Sequence, residues 1–187
     1  MVKKNACIFI SGQGTNLKNL ILRSRDYNFP IKIKLVITNN KNAKGIIYAK
    51  KNSIPYRVIN TKLPSFEERL IQILKENKIT LICLAGYMKI VSKNFIKKFG
   101  KKIINIHPSL LPKFKGLNTF SRILKNKEKK TGCSVHHVSE KLDSGHIITK
   151  KSFYISANEN EKTLKLRTQR LEYQIFPEAI IKIFRNN

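Results

Sequence analysis

Ala6-Cys7-Ile8-Phe9-Ile10-Ser11-Gly12-Gln13-Gly14-Thr15-Asn16-Leu17 is an apolar run that stops at a serine and two glycines and then opens a segment of helical character, Leu17 to Arg25. Five apolar residues bounded by turn residues read as a short buried strand, and the glycines read as the turn that feeds a helix. The same unit repeats along the chain. Ile33 to Thr38, Tyr56 to Ile59, Thr80 to Ala85 and Ile103 to Ile106 are further buried strands, and Ala43 to Asn52, Ser65 to Asn77 and Lys93 to Phe99 are helices between them. Five alternations of strand and helix predict an α/β fold with a doubly wound, mainly parallel sheet, helices on both faces and right-handed crossovers.

After residue 106 the rhythm changes. Pro108, Pro112 and Gly116 hold an irregular loop, a helix is expected over Asn118 to Asn126, and Cys133 to Val138 and His146 to Tyr154 read as antiparallel C-terminal strands joined by a turn containing Asp143, Ser144 and Gly145. A last helix is expected from Glu159 to Phe176, broken at Pro177. With 187 residues and no linker or repeat, residues 1–187 read as a single domain. The first ten residues are too short in apolar character for a signal peptide, and no run approaches the roughly 20 apolar residues of a membrane span. The expectation is a cytoplasmic protein with no membrane partner. Cys7, Cys83 and Cys133 are far apart without metal-ligand spacing, and read as buried thiols with no metal.

The formal net charge is +27. Its texture argues against a nucleic-acid partner: eight of the 38 basic residues are Arg, the planar fork suited to base and phosphate recognition, and the lysines are spread over the whole chain. A positive field would still attract small anionic substrates.

Two places carry chemistry. The Ser11–Asn16 loop offers backbone amides and a helix N-terminus to an anion. It fits neither the GxGxxG nor the GxxxxGK[ST] pattern, which favours one simple phosphate over a dinucleotide or ATP. Asn105 and His107 end a strand two residues apart and so face one side. An amide and a protonated imidazole there are two donors suited to oxygen charge developing at a carbonyl. Asp143, if near, would raise the His107 pKa or carry protons through water. His136 and His137 are adjacent, so one of them faces a given side, and His146 reads as an ordinary exposed residue.

Taken together, Ser11-Gly12-Gln13-Gly14-Thr15-Asn16-Leu17, Ala85-Gly86-Tyr87-Met88, Asn105-Ile106-His107-Pro108-Ser109-Leu110-Leu111-Pro112 and Leu142-Asp143-Ser144-Gly145 resemble, in order and spacing, the phosphoribosylglycinamide formyltransferases. The resemblance runs nearly end to end. It implies a Rossmann-like formyltransferase fold and direct transfer of a formyl group from 10-formyltetrahydrofolate to the amine of glycinamide ribonucleotide in purine biosynthesis, without a covalent enzyme intermediate or a metal, by a monomer or homodimer. By residue, it implies that Asn105 and His107 polarise the formyl oxygen, that Asp143 moves the proton, and that His136 supports Asp143. Gly14, Thr15 and Asn16 would hold the ribonucleotide phosphate and Glu172 would face the ribose. Met88, Lys89, Ile90, Val91 and Leu142 would line the folate pocket, the cleft lying between the first loop and the Asn105 strand end. A cis bond before Pro112 is part of the same expectation.

The chain departs from that pattern at Asn118, usually His, at Lys115, commonly Pro, and at Lys89, usually Arg; the stretch Lys62 to Glu68 is shorter. Methionyl-tRNA formyltransferase and formyltetrahydrofolate deformylase share the catalytic block. The first carries an added carboxyl-terminal domain and the second an amino-terminal one, and both lack the glycine loop in this form.

Overall fold

The computed structural model describes residues 2–185. In chain order the elements are β1 (Lys4–Ile10), α1 (Thr15–Ser24), β2 (Ile31–Thr38), α2 (Ile46–Lys51), β3 (Tyr56–Val58), α3 (Phe66–Glu76), β4 (Leu81–Leu84), α4 (Lys93–Phe99), β5 (Lys102–His107), α5 (Thr119–Lys125), β6 (Lys130–His137), β7 (Ile147–Tyr154) and α6 (Glu161–Arg185). The strands form one seven-stranded sheet in the order β3-β2-β1-β4-β5-β6-β7. The β1–β2, β1–β4 and β2–β3 pairs are parallel and β6–β7 is antiparallel. This is the expected α/β sheet. No helix among the described residues is long and apolar enough to cross a membrane.

The chain divides into two compact units, Met1–Ile104 and Asn105–Asn187. In the first, the residues from Ala6 to Ile10 are almost wholly buried, which places both faces of β1 under cover and accounts for an unbroken apolar run instead of an alternating one. Leu17, Leu20 and Ile21 lie one helical turn apart and form the buried stripe of α1. The Ser92 side chain caps α4 by accepting from the Phe95 N–H at 3.0 Å, and Gly100, with φ 61°, ends it.

Strand order reverses between β1 and β4, and in open α/β sheets ligands bind at such a switch point. Here Ser11 ties the strand ends together. Its backbone N–H donates to Gly86 O at 3.1 Å and its hydroxyl donates to Asn39 Oδ1 at 2.6 Å while accepting from the Met88 N–H at 2.8 Å. The glycine loop is packed equally closely, because Gly14 and Gly45 stand back to back: a Cβ on Gly14 would lie 2.5 Å from the Gly45 Cα.

In the second unit, α6 packs on β6 and β7. The expected break at Pro177 is absent: the helix runs unbroken through it. A proline inside a helix costs about 3 kcal/mol through its missing N–H and its clash with the preceding turn. Ile175, Phe176, Ala179, Ile180, Ile183 and Phe184 are all buried around it, and each large apolar side chain contributes roughly 1.5–3 kcal/mol, so packing outweighs the local penalty. The start also shifts, from Glu159 to Glu161, because Asn160 Oδ1 caps the helix by accepting from the Lys162 and Thr163 N–H groups, both at 3.0 Å.

Candidate active site

The three residues expected to carry chemistry meet inside the second unit, around one carboxylate. Asn105 and His107 end β5, and Asp143 sits in the turn after β6 with φ 46°, a left-handed conformation that Asp tolerates better than most residues. His107 Nδ1 lies 3.3 Å from Asp143 Oδ2. The Asn105 amide, through Nδ2, is 3.3 Å from both Asp143 Oδ1 and His136 Nε2. His136 Nε2 is itself 3.5 Å from Asp143 Oδ1, and His136 Nδ1 donates to His137 O at 2.8 Å. Of the two adjacent histidines His136 is therefore the one that faces inward, at 2% exposure. His146 is exposed, as expected.

Two backbone groups complete the cluster, and neither is visible in a pattern of side chains. His107 Nε2 donates to Phe114 O at 2.9 Å, and the Gly116 N–H donates to Asp143 Oδ2 at 2.9 Å. The loop that supplies them is held from below: Ser134 Oγ, buried in β6, donates to Ser109 O at 2.7 Å and accepts from the Leu111 N–H at 3.1 Å, and Ser109 Oγ donates to Lys113 O at 2.6 Å. The Leu111–Pro112 bond in this loop is cis.

The electrostatics differ from expectation in one respect. Burial is the largest influence on His107 and lowers its pKa below that of a free imidazole; the Phe114 carbonyl and Asp143 raise it, and burial outweighs them. Proximity to Asp143 thus acts in the expected sense but does not decide the result. Asp143 is opposed by burial too, yet the His136 and Gly116 bonds and the nearby imidazoles bring its pKa down to about 2. The carboxylate is ionised at neutral pH, beside an imidazole that gives up a proton readily.

Acid sensitivity follows from these shifts. The folded pKa of Asp143 is below its unfolded value of 3.8, so the stabilisation is present above about pH 4 and is lost as pH falls towards about 2; at 7% side-chain exposure this amounts to roughly 1–2 kcal/mol. The folded pKa of His107 is also below its unfolded value of 6.5, so acidification under that pH destabilises in the same direction, in a higher window. The urea midpoint is expected to fall in two stages on acidification. His107→Gln should remove the upper stage and Asp143→Asn the lower, and a profile in which neither variant differs from wild type would contradict this account.

Residues 4–180 match the family model described as formyl transferase. The chain belongs to the formyl transferase family. It is 39% identical over 185 residues to phosphoribosylglycinamide formyltransferase of Haemophilus influenzae, covering 97% of this chain and 87% of that protein. It is likewise 39% identical over 182 residues to the human trifunctional purine biosynthetic protein adenosine-3, where it covers 95% of this chain and spans only 18% of that much longer protein. The crystal structure of phosphoribosylglycinamide formyltransferase from Bacillus halodurans matches with a TM-score of 0.92 at 34% identity, over 96% of this chain and 95% of that one.

In this family member the other expected site residues fall as follows. Gly14, with φ 70°, is the N-cap of α1, and Thr15 and Asn16 open that helix. Met88 and Ile90 are 66% and 74% exposed, Lys89 is exposed, and Val91 and Ile90 border a shallow pocket with Tyr87 and Phe95. Leu142 is half exposed beside Asp143. Glu172 is half-buried on α6, close enough to Cys133 for its charge to add to the burial that raises that thiol's pKa. Asn118 stands at the N-cap position of α5 with φ 54°, a left-handed conformation for which Asn is better suited than most residues.

Proposed function

We propose that this chain transfers the formyl group of 10-formyltetrahydrofolate to the glycinamide amine of phosphoribosylglycinamide, residues 1–187 acting as one formyltransferase domain. The observation that carries the proposal is the Asp143 carboxylate, held ionised within 3.3 Å of both Asn105 and His107 at the end of β5.

In this reading the amine attacks the formyl carbon directly, and negative charge develops on the formyl oxygen. Asn105 Nδ2 donates to Asp143 Oδ1 at 3.3 Å, longer than the usual 2.9–3.0 Å, and a developing oxyanion competes well for such a donor. The His107 imidazole becomes more basic as that charge grows and supplies a second donor. The attacking nitrogen must lose a proton and the departing folate nitrogen must gain one; Asp143 accepts and relays it through water, with His136 and the Gly116 N–H holding the carboxylate in place. Gly14, Thr15 and Asn16 receive the substrate phosphate at the α1 N-terminus, Glu172 faces the ribose hydroxyls, and Met88, Lys89, Ile90, Val91 and Leu142 contact the folate.

The test is an assay of formyl transfer from 10-formyltetrahydrofolate with phosphoribosylglycinamide as acceptor. Turnover on the order of 1–10³ per second is expected, the range of ordinary enzymes. Absence of turnover by the folded protein overturns the proposal.

A further inference from the structure

Phe114, Lys115 and Gly116 form a strained three-residue segment: Phe114 has φ 55° and Gly116 φ 78°. A bulky residue in the left-handed region costs on the order of 1–3 kcal/mol and persists only where its surroundings over-determine it. The outer two residues of the segment are the ones whose backbones serve the site, the Phe114 carbonyl at His107 and the Gly116 N–H at Asp143. The residue between them reaches sideways. Lys115 Nζ donates to Ser144 Oγ at 2.6 Å, and Ser144 Oγ donates to Leu142 O at 2.9 Å. On the other side, Arg122 Nη1 donates to Lys115 O at 2.5 Å.

We infer that Lys115 and Ser144 form a clasp that positions the acid–base pair, by joining the Phe114–Gly116 segment to the turn on either side of Asp143. The two loops contribute one partner each to the His107 ring: Phe114 O on Nε2 and Asp143 Oδ2 on Nδ1. The distance between those partners fixes the ring, and a single carboxylate bond to the Gly116 N–H would leave the loops free to pivot about it. The Lys115–Ser144 bond adds a second point of attachment one residue along from each end, and two points define an orientation where one does not. Lys115 is half-buried, and its bond to Ser144 lies at the exposed edge of the two loops. Neither residue touches the reacting atoms; both act through His107 and Asp143.

The kinetic arm of the test rests on the formyl transfer proposed above, and a second arm does not. Lys115→Met keeps the stem and removes the donor, Ser144→Ala removes the hydroxyl, and Lys115→Arg restores a donor. Each of the first two is expected to lower kcat about fivefold with KM changed less than twofold. The double variant should be no worse than the poorer single, and Lys115→Arg should stay within twofold of wild type. Hydrogen exchange of the Gly116 amide should quicken about tenfold in Lys115→Met and Ser144→Ala at an unchanged urea midpoint. An active wild type whose two single variants keep kcat, or lose it additively, overturns the clasp. If the wild type transfers no formyl group, the proposed function fails while the clasp is judged on Gly116 exchange alone, and unchanged exchange rejects it.

Discussion

Asp143→Asn is expected to lower kcat for formyl transfer about a thousandfold, a loss of about 4 kcal/mol in transition-state stabilisation, within the range set by general acid–base groups. The substitution preserves shape, so an Asn oxygen can still accept from the Gly116 N–H as the carboxylate does at 2.9 Å. Charge and basicity are what disappear. The carboxylate's pKa of about 2 shows how strongly its surroundings favour the ionised form, and those surroundings are left without a counter-charge in the variant. His107 then loses the influence that raises its pKa while keeping the burial that lowers it, so it becomes a poorer partner for an oxyanion as well. Steady-state kinetics beside a urea titration separates the two consequences: KM should change less than tenfold and stability by roughly 1–2 kcal/mol, the share assigned to the ionised carboxylate. A kcat within tenfold of wild type would remove Asp143 from the mechanism.

Gly145→Ala is expected to lower kcat at least a hundredfold and to cost about 2 kcal/mol of stability. A Cβ on Gly145 would stand 1.7 Å from the His137 carbonyl oxygen, 2.7 Å from its carbon and 3.4 Å from the Ser139 nitrogen. All three are backbone atoms, so no rotamer change relieves the clash and the turn itself must retreat by more than an ångström. Asp143 lies two residues upstream on that turn, and a displacement of about 1 Å at a reacting group can cost a hundredfold in rate. The His137 carbonyl also accepts from His136 Nδ1, so the disturbance reaches both neighbours of the carboxylate. Measured kcat and the urea midpoint decide the matter, and a variant with wild-type activity would mean that the turn tolerates displacement.

The alternation of strands and helices was readable because β4, residues 6–10 of β1 and residues 35–38 of β2 are buried on both faces, which leaves continuous apolar runs bounded by turn residues. Asn105 and His107 stood out for a similar reason: a spacing of two on a strand is a statement about direction that needs no tertiary information. Pro177 misled because its local rule is strong, while the burial of Ile175, Phe176, Ala179 and Ile180 that overrides it depends on α6 finding β6 and β7. The pKa of His107 could not be foreseen either, since burial and the Asp143 charge act in opposite senses and only their geometry ranks them.

The sequence by itself determined the fold class and the alternation of strands and helices, because periodicity is a local property of the chain; it set Asn105 and His107 on one side of a strand end, and the resemblance to the formyltransferases added His136 and Asp143 as expected companions. Only the tertiary structure decided which groups hold them. The Phe114 carbonyl, the Gly116 N–H and the Lys115–Ser144 bond come from loops with no period, and every residue carries the same backbone donor and acceptor, so their use at one site is set by where the chain passes and leaves no mark in composition or spacing.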